Sequence, residues 1–234
     1  MICAAILAGG LGTRMKNKDH LPKQFLPLDG KPMLLRTIAP FYHCREIEKI
    51  VVCVTKGWVE YSQKLIDGEW PAEDRIAVIE GGSDRLGSLI NACSFLRGKK
   101  DVSKETILLT HDGARPFVGE EIIRANIEAM QAYDCVTTAV PVVDTILTSA
   151  DGKRVDDIPN RSSLYAVQTP QTFRLGALTE AIESLTKEEK SVLTDAARIY
   201  LMRGKSVGIV PGSSDNFKVT EKKDLKLADL LQKS

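Results

Sequence analysis

The sequence predicts an α/β fold: a mostly parallel sheet with helices on both faces. Two observations carry this prediction. Short, continuous apolar runs, typical of strands that are covered on both faces, alternate along the chain with segments of helical periodicity. Glycine-containing polar turns follow three of these runs, as expected where parallel strands end. We expect a single domain over residues 1–234, since this length requires no second core.

The elements can be placed in chain order. The apolar runs predict strands at residues 2–7, 49–54, 76–79, 106–110, 135–143 and 207–210. Helical spacing of apolar residues predicts helices at residues 31–42, 58–66, 86–96, 120–133, 196–202 and 222–232. Pro32 suits the first turn of its helix, where the missing N–H is not needed.

One polar segment, residues 144–164, interrupts the alternation. Its β-like halves flank Asp151-Gly152, a strong hairpin-turn signal. So few large apolar residues cannot build a core of their own. The segment is therefore either a flexible flap or, as we favour, a β-hairpin arm that packs on another surface such as a second subunit.

Composition excludes several classes of protein. A net charge of +1 argues against a nucleic-acid surface. The five cysteines form no C-x-x-C pair, which argues against zinc or a redox dithiol and favours reduced core residues. The first apolar run is too short to span a membrane and lacks a basic leader. We expect a cytoplasmic protein.

The segment 4–28 has the composition of a phosphate-binding loop. Three glycines, Gly9, Gly10 and Gly12, follow the first strand closely. Two basic residues, Arg14 and Lys23, come after them. Glycines let backbone N–H groups approach an anion, and the basic side chains can neutralise it. Met15 breaks the dinucleotide fingerprint, and no Walker ending follows. A tight turn with solvated lysines is the alternative explanation.

Asp112 ends a buried strand, where a carboxylate suits Mg²⁺ that bridges nucleotide phosphates. A turn-forming aspartate is the competing interpretation. Arg115 can brace this carboxylate through an ion pair, and His111 is expected to be a buried structural histidine. The segment around Lys218 is expected to be a solvated loop.

Two helix starts are also polar. The stretch from Ser83 to Ser88 begins a helix, so its hydroxyl and N–H groups can meet a base, ribose or phosphate. Asp84 within it is explained more simply as an N-cap. Thr194-Asp195 is adequately explained as a cap, and the two glutamines of Gln168–Gln171 (QTPQ) have no evident structural purpose.

Several segments together resemble one family. LAGGLGTRM and PKQFLPLDGKP resemble the sugar- and polyol-phosphate nucleotidyltransferases. GGSDRLGSL, HDGARPF, PVVDTI, QTPQTF and DNFKVT resemble the cytidylyltransferases acting on methylerythritol 4-phosphate and ribitol 5-phosphate. The resemblance covers nearly the whole chain. It implies a Rossmann-like domain, a hairpin arm exchanged in a homodimer, and conversion of CTP and a polyol phosphate to a CDP-polyol and pyrophosphate with Mg²⁺.

The resemblance also implies roles for individual residues. Three cations would contact the triphosphate and the transition state: Arg14, Lys23 and Lys218. The nucleotide would be held by Leu7, Ala8, Gly9, Gly10, Gly12, Gly82, Ser83, Arg85, Ser88 and Asp112. Asp112 would also bind Mg²⁺. The second substrate's phosphate would be contacted by Thr145 and Arg161 of the arm, across the dimer interface, and by Lys218.

Different segments of the sequence resemble enzymes that act on different polyol phosphates. The segments DIPNR (157–161), LYAVQTPQTFR and EEKSVLTDAARI resemble the ribitol 5-phosphate enzymes, whose products enter wall polymers. HDGARP and AVPVVDTI resemble the methylerythritol enzymes of isoprenoid synthesis, because of Gly113, Ala114 and Pro141. The sequence alone favours ribitol 5-phosphate, with methylerythritol 4-phosphate as the alternative.

Two other classes share parts of this pattern. An NAD-dependent oxidoreductase would share the fold class, but it lacks support because Met15 breaks its fingerprint. A non-catalytic nucleotide sensor would keep the glycine loop and usually lose a charged residue. The chain retains four charged residues that an enzyme needs, namely Arg14, Lys23, Asp112 and Lys218.

Overall fold

The computed structural model describes residues 1–10, 21–193 and 195–231. Within these ranges the strands, in chain order, are β1 (Ile2–Ala8), β2 (Pro27–Leu28), β3 (Lys31–Pro32), β4 (Lys49–Val54), β5 (Ile76–Glu80), β6 (Ile107–Asp112), β7 (Cys135–Pro141), β8 (Tyr165–Arg174) and β9 (Gly208–Pro211). Seven of them form one sheet in the order β5-β4-β1-β6-β8-β7-β9, and β2 and β3 pair separately.

The helices of the described residues are α1 (Met33–His43), α2 (Val59–Glu69), α3 (Arg85–Arg97), α4 (Glu120–Ala129), α5 (Leu175–Glu183), α6 (Lys187–Val192), α7 (Ala197–Met202) and α8 (Lys222–Leu231). Alternate residues of β1 face opposite sides of the sheet. Cys3 and Leu7 pack in one core cluster with α3, α5 and α7, whereas Ala4 and Ala8 pack in another with α1, α2 and α4. Helices therefore cover both faces, as predicted.

The main sheet is parallel except for β8, which runs antiparallel to both neighbours, β6 and β7. The prediction of a mostly parallel α/β sheet is confirmed. The sequence predicts no strand at β8, because the buried stretch of this strand is polar rather than apolar. Gln168, Thr169, Gln171 and Thr172 are all buried, around a cis Thr169–Pro170 peptide bond. The helices α5 and α6, which follow β8, are also missing from the prediction.

Several predicted boundaries need correction. Helix α1 begins at Met33 rather than residue 31, because Lys31 and Pro32 pair with Leu28 and Pro27 in the two-stranded ribbon. Helix α4 ends at Ala129 rather than residue 133. The strand β4 has the predicted bounds.

The segment 144–164 leaves the sheet after β7 and returns into β8. Most of its residues are exposed, and one isolated antiparallel bridge joins Thr148 to Asp157. At its tip, Asp151 Oδ1 accepts hydrogen bonds from the N–H groups of Lys153 (2.8 Å) and Arg154 (2.9 Å). The turn at Asp151-Gly152 is thus present, although one isolated β-bridge rather than a regular ladder pairs the two halves of the arm.

All five cysteines are buried and free. Burial raises the pKa of the Cys3 and Cys53 thiols to about 12, so both are unreactive in the folded protein. No helix in the described part of the chain combines the length and the apolar character needed to cross a membrane.

Candidate active site

A cavity of about 380 Å³ opens where β1 and β6 end side by side, with Leu7 paired to Asp112. In open α/β sheets this edge, beyond the carboxyl ends of the strands, is where ligands bind. The cavity is lined by Leu7, Ala8, Gly9, Gly10, Lys23, Gln24, Ser83, Asp84, Arg85, Ser88, Asp112, Gly113 and Lys218.

Most of the predicted nucleotide-binding residues therefore meet at one place, although they come from three distant parts of the chain, and Lys23 and Lys218 join them there. Gly82 does not line the cavity but adjoins it through Ser83. Gly12 and Arg14 lie outside the described residues. Thr145 and Arg161 are exposed on the arm, and neither lines the cavity. Arg161 Nη1 instead donates to the carbonyl of Val143, 2.9 Å away.

Asp112 is the electrostatic centre of the cavity. Its Oδ1 accepts a hydrogen bond from Arg85 Nε (3.1 Å), its Oδ2 accepts one from Lys218 Nζ (2.7 Å), and Arg115 Nε lies 3.8 Å away. Burial of the Asp112 carboxyl would raise its pKa, but the charges of Arg85 and Lys218 outweigh burial and hold the pKa well below the usual range. The carboxylate is therefore ionised, and cations surround it.

The lysine at position 23 sits on a short 3-10 turn, Lys23–Phe25, that is tied to the sheet. Gln24, a buried residue, donates from Nε2 to the carbonyl of Ala8 (2.7 Å) at the end of β1. Phe25 stacks on Trp58 with ring centroids 4.9 Å apart. Lys23 Nζ itself donates to the carbonyl of Val219 (3.0 Å), beside Lys218. Gln24, which anchors this turn, is not among the site residues predicted from the sequence.

The turn before α3 is fixed by its own side chains. Asp84 Oδ1 accepts from the N–H of Gly87 (2.7 Å), which confirms the predicted N-cap. Ser88 Oγ accepts from the N–H of Gly82 (3.1 Å) and donates to the carbonyl of Asp84 (2.9 Å). The Ser88 hydroxyl is thus engaged in holding the turn, which presents Ser83 to the cavity.

His111 lies beneath the cavity and is fully buried, as expected for a structural histidine. Its Nε2 lies 3.0 Å from the carbonyl oxygen of Arg115, which can only accept, so Nε2 carries the proton and Nδ1 accepts from Thr169 Oγ1 (3.0 Å). Thr169 Oγ1 in turn accepts from the N–H of Asp112 (3.1 Å). Burial lowers the pKa of His111 to about 4, so the ring is neutral and supports the Asp112 backbone.

The loop that carries Lys218 is held by β8. Asn216 Nδ2 donates to the carbonyl of Thr169 (2.8 Å) and to Gln168 Oε1 (3.1 Å). Arg115 Nη1 donates to the carbonyl of Asn216 (2.7 Å). The loop is therefore anchored rather than freely solvated, which corrects the default interpretation. The polar QTPQ segment was the available signal, and its first glutamine serves this loop.

The chemistry of such a site is positioning and charge neutralisation. Among the described residues that line the cavity there is no histidine or cysteine, and the charged side chains are Lys23, Asp84, Arg85, Asp112 and Lys218. Fixed cations of this kind stabilise charge on phosphoryl oxygens, and phosphoryl transfer needs little covalent work from the protein.

Comparison with known proteins agrees with this geometry. The profile of the family IspD, 2-C-methyl-D-erythritol 4-phosphate cytidylyltransferase, matches residues 2–234. A solved 4-diphosphocytidyl-2C-methyl-D-erythritol synthase from Anaerococcus prevotii is 26% identical, with a TM-score of 0.81 over 100% of this chain and 99% of that one. The 2-C-methyl-D-erythritol 4-phosphate cytidylyltransferase of Thermus thermophilus is 27% identical, with a TM-score of 0.75 over 100% of both chains.

A third solved structure, the 2-C-methyl-D-erythritol 4-phosphate cytidylyltransferase of Francisella tularensis, is 26% identical and has a TM-score of 0.79. It matches over 98% of this chain and 99% of its own. The family profile and the three structural matches each extend over nearly the whole chain. The chain belongs to the IspD family of cytidylyltransferases.

Proposed function

We propose that this protein transfers CMP from CTP to 2-C-methyl-D-erythritol 4-phosphate and releases pyrophosphate. The observation that carries the proposal is the cavity at the ends of β1 and β6, where Arg85 and Lys218 flank the Asp112 carboxylate. A carboxylate with adjacent cations suits a metal-bound nucleotide triphosphate. Membership of a cytidylyltransferase family supports CTP as that nucleotide.

The choice of acceptor reverses the preference drawn from the sequence. The segment 157–161 and its companions favoured ribitol 5-phosphate, whereas the family profile and the solved relatives carry methylerythritol names. Gly113 and Pro141, which resemble the methylerythritol enzymes, are thus the better guides. Ribitol 5-phosphate remains the second candidate, on the strength of the segment 157–161.

The reaction is an in-line displacement at the α-phosphorus of CTP. An oxygen of the acceptor phosphate forms a bond to that phosphorus, and the bond to the bridging oxygen of the β-phosphate breaks, so that pyrophosphate leaves with the electron pair. Lys23 and Lys218 offer fixed positive charge to the oxygens that gain negative charge, and Arg14 is proposed to do the same. No side chain needs to act as a general base.

Mg²⁺ is proposed as the cofactor, with Asp112 as its protein ligand. The donor set fits, because Mg²⁺ in nucleotide sites is bound through one or two carboxylates with substrate phosphates and water. Among the described side chains there is no cluster of three or more metal-ligating groups, so the remaining ligands would come from the nucleotide. The ion would neutralise triphosphate charge. Lys218, which donates to Asp112 Oδ2, would turn to the phosphates.

The arm is proposed to complete the site of a second subunit. Arg161 and Thr145 are not among the residues lining their own cavity, and the arm exposes large apolar side chains: Leu147 (52%), Val155 (57%) and Ile158 (58%). Exposed apolar patches mark interaction surfaces. Light scattering should give the mass of a homodimer, and V155D combined with I158D should give the monomer; a monomeric native protein would contradict this.

The acceptor is tested by pyrophosphate release from CTP and Mg²⁺, with each polyol phosphate supplied separately to the same enzyme preparation. We expect a higher kcat/KM with 2-C-methyl-D-erythritol 4-phosphate and a CDP-linked product in the mass spectrum. A higher kcat/KM with ribitol 5-phosphate would reverse the acceptor assignment, and no release with either would overturn the proposed activity.

A further inference from the structure

Gln171, the second glutamine of the QTPQ segment, is buried in β8 next to the cavity but does not line it. Its side-chain amide has partners on both ends. Nε2 donates to Thr137 Oγ1 (3.0 Å) and to both carboxylate oxygens of Asp195 (3.0 and 2.8 Å), and Oε1 accepts from Arg85 Nη2 over a longer distance of 3.4 Å. The proposed reaction assigns no task to Gln171 or Asp195.

The orientation of this amide follows from the charges around it. Asp195 offers two acceptors and no donor, whereas the Arg85 guanidinium offers donors only. Turning the amide over would place the Gln171 carbonyl oxygen against the Asp195 carboxylate and its NH₂ group against the cation. Asp195 therefore fixes the Gln171 oxygen toward Arg85. Asp195 is itself held, since Oδ1 accepts from the N–H of Ala197 (2.9 Å).

The guanidinium of Arg85 consequently has two fixed acceptors. Its Nε donates to Asp112 Oδ1 (3.1 Å), and its Nη2 points to Gln171 Oε1. Two contacts on different nitrogens define the plane of a rigid, planar group. The Nη1 nitrogen has no hydrogen-bond partner among the described residues, and the side chain retains 27% exposure at the cavity. Nη1 is therefore the donor left for a ligand.

We propose that Gln171 is a positioning residue for Arg85, and that Asp195 sets the orientation of the Gln171 amide. Through these two residues, Arg85 keeps one donor directed at the nucleotide. The inference rests on the proposed function only for the identity of that ligand, because the geometry of the Asp195–Gln171–Arg85 chain is independent of the reaction. It gives the QTPQ segment and Asp195 a purpose in the site.

The test compares variants that break the Asp195–Gln171–Arg85 hydrogen-bond chain with a matched variant that leaves it intact. Q171M keeps the volume but removes the acceptor for Arg85, and D195A removes the group that orients the amide. T137V removes another partner of the same Nε2 and leaves Asp195 and Arg85 unchanged. We expect Q171M and D195A to raise the KM for CTP about tenfold, as for loss of a hydrogen bond to a charged group, with kcat changed less. T137V should stay close to the native KM.

A second readout does not depend on turnover. The Nε–H signal of Arg85 in ¹H–¹⁵N spectra, assigned by its absence in R85K, should persist in the native protein and T137V, and should broaden or disappear in Q171M and D195A. If Q171M leaves both the signal and the KM unchanged, the inference is wrong. It is also wrong if T137V alters them as much as Q171M, because general loss of packing would then explain the effect.

The two proposals fail in different ways. A native protein that releases no pyrophosphate from CTP contradicts the proposed function, whereas the Arg85 signal still decides whether Gln171 positions that side chain. Normal CTP turnover with an Arg85 signal indifferent to Q171M contradicts the positioning role alone.

Discussion

Lys218 Nζ lies 2.7 Å from Asp112 Oδ2, although 106 residues separate them in the chain. The contact joins the end of β6 to the loop beyond β9, at opposite sides of the antiparallel strand β8. It holds the long Lys218 side chain at the cavity before any nucleotide binds. The positive charge of Lys218 is thus in place at the cavity before the nucleotide arrives. The contacts of Asn216 with β8 keep the loop that carries Lys218 in position.

Replacing Lys218 by methionine should lower kcat for CMP transfer roughly 100- to 1000-fold, as for loss of one donor to a developing oxyanion. Because the Lys218 side chain is 39% exposed, the free energy of unfolding should change by less than about 1 kcal/mol. Initial rates and urea unfolding measure the two effects. K222M removes an exposed lysine on α8 and should retain native kcat; equal loss in both variants would contradict a specific role.

Asp112→Asn should destabilise the protein strongly, because it leaves Arg85, Arg115 and Lys218 close together without their shared counter-ion. We expect a loss of about 3 kcal/mol in the free energy of unfolding, typical of breaking a buried ion pair by removing one partner. Urea denaturation measures this loss. D101N breaks an exposed pair with Lys49 and should lower the free energy of unfolding much less, because solvent screens the pair. Similar losses for the two variants would show that Asp112 is not a structural centre.

Gly82→Ala should displace the turn before α3, because an added Cβ would lie 2.4 Å from the Gly87 carbonyl carbon, a backbone atom that cannot move aside freely. We expect both a lower melting temperature and a higher KM for CTP. Gly68→Ala, on α2 with no atom within 4 Å of the added Cβ, should stabilise the helix by roughly 0.5–1 kcal/mol. A G82A variant with native KM and melting temperature would refute this account of the turn.

His111 should make stability sensitive to mild acid. Its pKa is lowered from 6.5 to about 4 by burial, so between these values the unfolded chain binds a proton that the folded protein does not. Acidification therefore favours unfolding, by about 2 kcal/mol from this ring between pH 7 and pH 5. Urea unfolding of the native protein and H111Q should show their stability difference shrinking by that amount. H43Q, which changes an exposed histidine, should show the same pH dependence of the free energy of unfolding as the native protein. If H111Q also shows the native pH dependence, the role assigned to His111 is wrong.

The sequence was informative wherever apolar periodicity dictates burial. The strand β4 is a continuous run of apolar residues and was placed with its true bounds, because only a doubly covered strand accommodates such a run. Asp84 was identified as an N-cap from local chemistry alone. The glycine loop, the Ser83 turn and Asp112 were expected to converge because the ends of parallel strands meet at one edge.

The sequence was uninformative where polar side chains are buried by one another. The strand β8 is not predicted because its buried polar side chains find their hydrogen-bond partners only in the folded chain. These side chains are Gln168, Thr169 and Gln171, and their partners lie on other elements. The anchoring of Lys218 through Asn216 depends on contacts across 47 residues or more. No local pattern encodes such pairs. The sequence does not settle the acceptor, because the residues that resemble the ribitol and methylerythritol enzymes are interleaved along the chain.

The most direct test of this account is the initial rate of pyrophosphate release from CTP by the full chain with Mg²⁺ and 2-C-methyl-D-erythritol 4-phosphate, with and without the acceptor. We predict acceptor-dependent release, one pyrophosphate per CDP-linked product, and a rate at least roughly 100-fold lower in K218M. Release that does not depend on any polyol phosphate, or a K218M rate equal to the native rate, would contradict the assignment of the cavity at β1 and β6 as the transfer site.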